Sequence, residues 1–381
     1  MLKIEIHETK DNREIRKALE LLLHVSKIQL KENIINNLIE YFDRVIRDEK
    51  YKFKIFIACT DDIICGFVTS LIHPTYRSYG KICGTFGWLN CINSFEVCEK
   101  LLKYCENFIK ENKIRKIRGN INFPKGLGGL GIQVEGFNEE MLYGVSFSDH
   151  NSQIPLYLKK LGYKPESEYI CMEVTQKTWK ASHKISKNIR LDYFTLKELW
   201  EKKEQLHDLI GKSFQGSFPM PDSSGRYRLE EIIKTYEKLP KSYFKIIEED
   251  FDPKKYTNIK SYQDAWIGCD LEKCVLSVPI AFNRNTNKII GACLAIPNLF
   301  QSWIGQPINQ LNIDTVMVDK DYAGKGIFSA LNNIGQIGTS FNGIDYFEGT
   351  YIWNKNPDAV KAIFPHGKPI RKHIVFQKRI K

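Results

Sequence analysis

The residues whose types and spacing could do chemistry lie together in residues 319–331, DKDYAGKGIFSAL. They follow residues 311–318, LNIDTVMV, which alternate apolar and polar side chains like a strand. A strand, a glycine turn and a helix start leave several backbone amides unpaired at the helix N-terminus, where they point outward and the helix dipole favours negative charge. The chemistry such a turn can do is phosphate binding. Gly324 and Gly326 carry no side chain that would block a diphosphate, and Lys325 can add a positive charge. The same residues also fit a plain glycine turn that joins strand to helix without a ligand.

The segment resembles the pyrophosphate loop of the GNAT acyltransferase superfamily, whose pattern is Arg or Gln, two variable residues, Gly, one variable residue, then Gly or Ala. The six positions here are Asp321, Tyr322, Ala323, Gly324, Lys325 and Gly326. Both glycine positions match, and Asp321 stands where the pattern has Arg or Gln. A second likeness lies downstream, where strand-like residues 344–353 lead into Asn354-Lys355-Asn356-Pro357. GNAT proteins commonly follow their fifth strand with an Asn that starts a helix beside the cofactor, and Asn354 and Asn356 occupy that place. Asn-x-Asn-Pro is equally a good helix N-cap with Pro at the first helical position, which needs no ligand.

The resemblance implies a cosubstrate, acetyl-CoA or a longer acyl-CoA, held by Tyr322, Ala323, Gly324, Lys325, Gly326, Ile327, Asn354 and Asn356. It implies direct attack by an acceptor amine on the acyl thioester, with an oxyanion contact from backbone amides of the fourth strand near Met317 and Val318. A carboxylate on a central strand would take the proton, and Asp314 and Glu348 are the candidates by position. The leaving thiolate is often protonated by a Tyr in the helix after the fifth strand. This chain has Ile363 and Phe364 there, and Tyr351 is the candidate substitute.

The elements that must position these residues are announced by a weak internal repeat. Residues 53–59 and 63–70 flank a turn at Asp61-Asp62, and residues 278–282 and 288–294 flank one at Asn285-Thr286-Asn287. Both read as β-hairpins. Helical spacing of apolar residues precedes each, in residues 12–23 and 31–47 of the first half and 196–210 and 229–239 of the second. The order β-α-α-β-β-β-α-β-α-β therefore occurs twice. The expected fold is α/β, two tandem GNAT-like domains, each a mixed, mostly antiparallel sheet flanked by helices. The boundary falls in the polar stretch of residues 176–184, giving domains 1–180 and 185–381. In the first domain the strand of residues 81–91 runs into a helix of residues 97–110 with no glycine at the helix start, so its loop is degenerate.

Composition narrows the class. A hydrophobic content of 43% and a charged content of 27% are ordinary for a globular protein, and no apolar stretch is long enough for a membrane span. The first residues lack the pattern of a signal peptide, and the cysteines lie in apolar runs such as IAC at Cys59 and GACL at Cys293, so a cytoplasmic location is expected. No cysteine spacing fits a zinc site, and no metal is expected. The net charge of +11 is scattered rather than gathered into a run.

Three further signals are set aside. Gly126 to Gly131 formally reads GxGxxG but does not lead into a helix, so a mobile loop, one that covers a substrate, is expected in its place. Gly211-Lys212-Ser213 lacks the earlier glycine of a P-loop. His150 and His366 are possible general bases without a readable triad. The leading function is acyl transfer from acyl-CoA to an amine of a small molecule or peptide. The alternatives are an aminoacyl-tRNA-dependent transferase, which would use the positive charge, and a non-catalytic binding protein with a decayed site.

Overall fold

The computed structural model describes residues 3–138, 152–174, 184–214, 220–223, 226–240, 243, 257, 259–265, 274–341 and 343–380. The junction residues 176–183 and His150 lie outside them. The first half opens with β1 (Ile4–Thr9), α1 (Asn12–Leu22) and α2 (Lys31–Arg47), then the meander β2 (Lys52–Thr60), β3 (Ile63–Ile72) and β4 (Gly84–Cys91). It continues through α3 (Phe95–Glu111), β5 (Lys116–Gly119), β6 (Ile121–Asn122), α4 (Lys125–Gly128), β7 (Gly129–Leu130), β8 (Ile132–Glu135), α5 (Ile154–Lys160) and β9 (Lys164–Val174).

The second half repeats the order. It holds β10 (Ile189–Thr195), α6 (Leu196–Glu201), α7 (Lys203–Phe214), α8 (Arg226–Glu237), α9 (Lys260–Ala265), β11 (Cys274–Asn283), β12 (Ile289–Pro297) and α10 (Leu299–Trp303). Then come β13 (Gln310–Val318), α11 (Ile327–Phe341), β14 (Tyr346–Trp353), α12 (Pro357–Ala362) and β15 (Gly367–Arg379). Among the described residues no helix is long and apolar enough to cross a membrane.

Strand alternation sorts the apolar side chains to two faces. On β2, Ile55 and Ile57 pack against Ile15, Ile34 and Phe42 of α1 and α2, whereas Phe56 and Ala58 pack against Leu101 and Cys105 of α3. On β11, Ile280 faces Leu206 and Ile233 of α7 and α8, whereas Ala281 faces Ile327 and Leu331 of α11. A fully buried side chain of this size stabilises by about 1.5–3 kcal/mol, so the sheet is held from both sides. The repeat extends to a packing detail. A Cβ on Gly66 of β3 would lie 2.7 Å from Leu101 of α3, and one on Gly291 of β12 would lie 2.7 Å from Ile327 of α11. In each half a glycine on the third strand lets the helix after the fourth strand sit close to the sheet.

The two halves share one sheet, in the order β1-β2-β3-β4-β5-β15-β9-β14-β13-β12-β11-β10, with β8 also paired to β15. The last strand of each half has crossed to the other. β15 pairs with β5 from Phe376↔Gly119 to Arg379↔Lys116, and β9 pairs with β14 through Glu348↔Glu173 and Trp353↔Tyr169. β9 and β15 then pair with each other along most of their length, from Gly367↔Val174 to Gln377↔Lys164. Fragments 1–180 and 185–381, made separately, each leave the edge of β5 or β14 without its partner strand. Each is expected to aggregate or lack cooperative unfolding, and the two are expected to recover a joint transition when co-expressed, as read by circular dichroism and gel filtration.

The GxGxxG segment departs from its expected loop. Residues 125–128 form α4 and Gly129–Leu130 pairs with β6, with Leu127, Gly128 and Leu130 buried. A Cβ on Gly128 would come within 2.4 Å of the Trp88 ring, so this glycine serves close packing rather than mobility.

Candidate active site

β13 and β14 run parallel only from Gln310↔Tyr346 to Asn312↔Glu348, and beyond that point they part. Asn312 is fully buried at the fork, its Oδ1 accepting from the Thr350 amide at 3.1 Å and the Thr350 hydroxyl at 3.0 Å. Just past it the β12–β13 register slips between Ile313↔Ala295 and Thr315↔Leu294, which makes Asp314 a bulge residue. Asp314 is half-buried and accepts the Thr315 hydroxyl at 2.9 Å. Met317 is buried in the core, and the Val318 carbonyl accepts from Ser213 Oγ at 2.9 Å.

The loop that follows is built by its own side chains. The Asp319 carboxylate accepts the Asp321 amide at 3.1 Å and lies 3.4 Å from Lys212 Nζ. A short 3-10 turn, Lys320–Tyr322, then leads to Gly324 at φ +73° and Gly326 at φ +77°, backbone conformations that glycine adopts freely. Tyr322 is anchored where its Oη accepts from Asn283 Nδ2 at 2.5 Å. Lys325 Nζ donates to the Asp321 carbonyl at 2.7 Å, and Ala323, Gly324 and Lys325 are exposed. Ile327 is buried and fixes the first turn of α11 on the sheet. Among the described residues no backbone carbonyl accepts from the amides of Gly324, Gly326 or Ile327. Amides so placed at the start of a 15-residue helix are able to hold an anion.

The other sequence candidates are engaged elsewhere. Glu348 is fully buried and ion-paired with the equally buried Arg371 of β15. Burial opposes the Arg371 charge, but Glu348, Cys171 and Tyr351 together hold its pKa above the ordinary arginine value. Burial pushes the Cys171 thiol up to about 11. Tyr351, at φ +52°, sets its ring edge-on to His373 with 4.8 Å between centroids. Burial, then Arg371, keeps His373 neutral, with its pKa well below the usual value. Asn354 ties β14 to β9, its amide and Nδ2 donating to the Glu168 carbonyl and Oε1 at 3.1 and 2.9 Å. Asn356 caps α12 by accepting from the Asp358 and Ala359 amides. His366 closes a 3-10 turn, Phe364–His366. The structure thus gathers Asp314 and residues 317–327 on one strand and loop, while Glu348, Tyr351 and Asn354 lie at the seam between the halves and Asn356 caps α12.

A second fork repeats the first. β4 and β5 pair only at Gly84↔Ile117 and Thr85↔Arg118, and β4 carries its own register slip next to Trp88, at φ +50°. The opening is a cavity of about 350 Å³ whose lining includes Leu22, Leu89, Asn90, Asn93, Asn120 and Ile132. Here Ser94 caps the following helix by accepting the Val97 amide. Sequence reading missed these asparagines, since Asn near strand ends reads first as a turn former.

A duplicated unit with a bulged fourth strand, a parallel fifth strand and a fork between them covers the chain from end to end. The chain has a tandem GNAT fold. No family model and no curated protein sequence matches it. A tandem GNAT protein from the clavulanic acid biosynthesis pathway superposes with a TM-score of 0.57 at 8% identity, over 100% of this chain and 99% of that one. A GCN5-related N-acetyltransferase from Sphaerobacter thermophilus gives 0.54 at 11% identity, over 100% and 98%. A probable N-acyltransferase from Enterococcus faecalis gives 0.51 at 8% identity, over 99% and 73%. Each repeat thus carries one fork, and the glycine loop of Gly324 and Gly326 lies at the second.

Proposed function

We propose that the chain is an acyl-CoA-dependent N-acyltransferase whose cosubstrate occupies the second half. The observation that carries this reading is the cradle of free amides at Gly324, Gly326 and Ile327, at the open end of the β13/β14 fork. A diphosphate would take those amides, and the acyl arm would run along β13 toward the Asp314 bulge. The acceptor, an amine of a small molecule or peptide, attacks the thioester carbonyl. The new C–N bond forms, the C–S bond breaks with its electron pair on the coenzyme A thiolate, which leaves and takes a proton from solvent, and the ammonium proton passes to a carboxylate. Asp314 is the better proton acceptor of the two carboxylates, because it is half-buried at the bulge whereas Glu348 is held by Arg371. Backbone amides near Met317 and Val318 would stabilise the oxyanion. Domains 1–180 and 185–381, a cytoplasmic location and chemistry without a metal complete the proposal.

Calorimetric titration with acetyl-CoA and with longer acyl-CoAs tests it. Saturable binding in the micromolar range supports the assignment. A folded protein that binds none of them contradicts it and shifts weight to a non-catalytic role.

A further inference from the structure

A cavity of about 910 Å³ lies in the second half between α9, the residues that lead into β10 and the β11–β12 turn. Its volume is in the range of small-molecule pockets. None of residues 317–327 lines it, so it is distinct from the glycine loop. Its walls are fixed by bonds to the backbone. Ser261 Oγ accepts from the Ile185 amide at 3.1 Å, and Arg284 donates through Nε to the Ile189 carbonyl at 3.2 Å and through Nη2 to the Asp264 carbonyl at 2.9 Å. Walls fixed before a ligand arrives lower the ordering cost of binding.

The charge of the lining is one-sided. Lys184, Lys187, Lys260 and Arg284 face a single carboxylate, Asp264, among the described residues of the wall. Asp264 already pairs with Lys260, at 3.0 Å. Lys184, Lys187 and Arg284 have no carboxylate partner among the described residues. Uncompensated cations around one opening attract an anion and repel an ammonium ion. The wall itself is more apolar than polar, with Ile185 and half-buried Ile259 beside the aliphatic stems of the lysines. A small inorganic anion would leave that apolar surface in water. A ligand with an apolar chain covers it, at about 25 cal/mol for each Å² removed from water.

We infer that this cavity binds an amphipathic anion, a carboxylate on an apolar chain of medium length, with the chain against Ile185 and Ile259 and the carboxylate among Lys184, Lys187 and Arg284. The site is separate from the acyl-CoA assignment and does not depend on it. The test titrates the full chain with sodium decanoate by calorimetry, with decylammonium chloride as the control for charge and sodium acetate as the control for the chain. The comparison protein carries Lys184→Glu together with Lys187→Glu. Both lysines are exposed and neither has a carboxylate partner, so its melting temperature is expected to match that of the wild type. Decanoate is expected to bind the wild type saturably and the double variant at least about tenfold more weakly. Decylammonium and acetate each bind the wild type at least about tenfold more weakly than decanoate, and coenzyme A does not displace decanoate. No saturable decanoate binding, equal affinity in the two proteins, equal affinity for either control, or displacement by coenzyme A overturns the inference. Failure of coenzyme A to bind anywhere contradicts the acyl-transfer proposal alone, because the decanoate titrations do not use it.

Discussion

Gly326→Glu is expected to weaken acyl-CoA binding by at least about 100-fold. Gly326 sits at φ +77°, immediately before the first residue of α11, where its amide is free. A glutamate there puts a carboxylate beside the cradle, and like charges about 5 Å apart at an effective dielectric of about 20 repel by roughly 3 kcal/mol. The left-handed backbone adds about 1–2 kcal/mol of strain for any residue with a Cβ. Gly326→Ala separates the two effects. It carries the strain without the charge and is expected to lose about tenfold or less in calorimetric affinity. Equal losses in the two variants would mean that loop geometry, and not phosphate recognition, sets the binding.

The second large effect concerns the seam between the halves. Arg371→Met is expected to destabilise the chain by about 3–5 kcal/mol, because Glu348 is then a fully buried carboxylate with no cation. For a chain of this size that is a fall of roughly 4–6 °C in melting temperature. The double variant Glu348→Met with Arg371→Met removes both charges and is expected to recover most of the loss. If the single variant melts like the wild type, the pair is not what holds β15 beside β9 and β14. Glu348 would then be released as a candidate base.

The hairpins, the helices before them and the glycine loop were legible in sequence because each is a local pattern. Apolar spacing marked α1, α2 and α8, and Gly324 with Gly326 marked the turn before a helix. The exchange of β9 and β15 was not legible. Nothing within either strand says which half it completes. Glu348 read as a candidate base by position or a strand carboxylate with a structural partner, and the partner was not legible, since Arg371 lies 23 residues on in a strand that reaches it only across β9. Gly126 to Gly131 read as a loop from its glycines, and the burial of Leu127, Gly128 and Leu130 beneath Trp88 overrode that local signal. Asn354 and Asn356 do follow β14, and their visible bonds, to Glu168 and to the first turn of α12, are structural.

The acyl-CoA assignment is tested most directly by the amide spectrum of protein labelled with 15N-glycine, recorded while acetyl-CoA is added. The cradle predicts that Gly324 and Gly326 shift first and furthest, while Gly87 and Gly119 beside the first-half fork stay in place. Shifts confined to Gly87 and Gly119, or none at saturating acetyl-CoA, would contradict it.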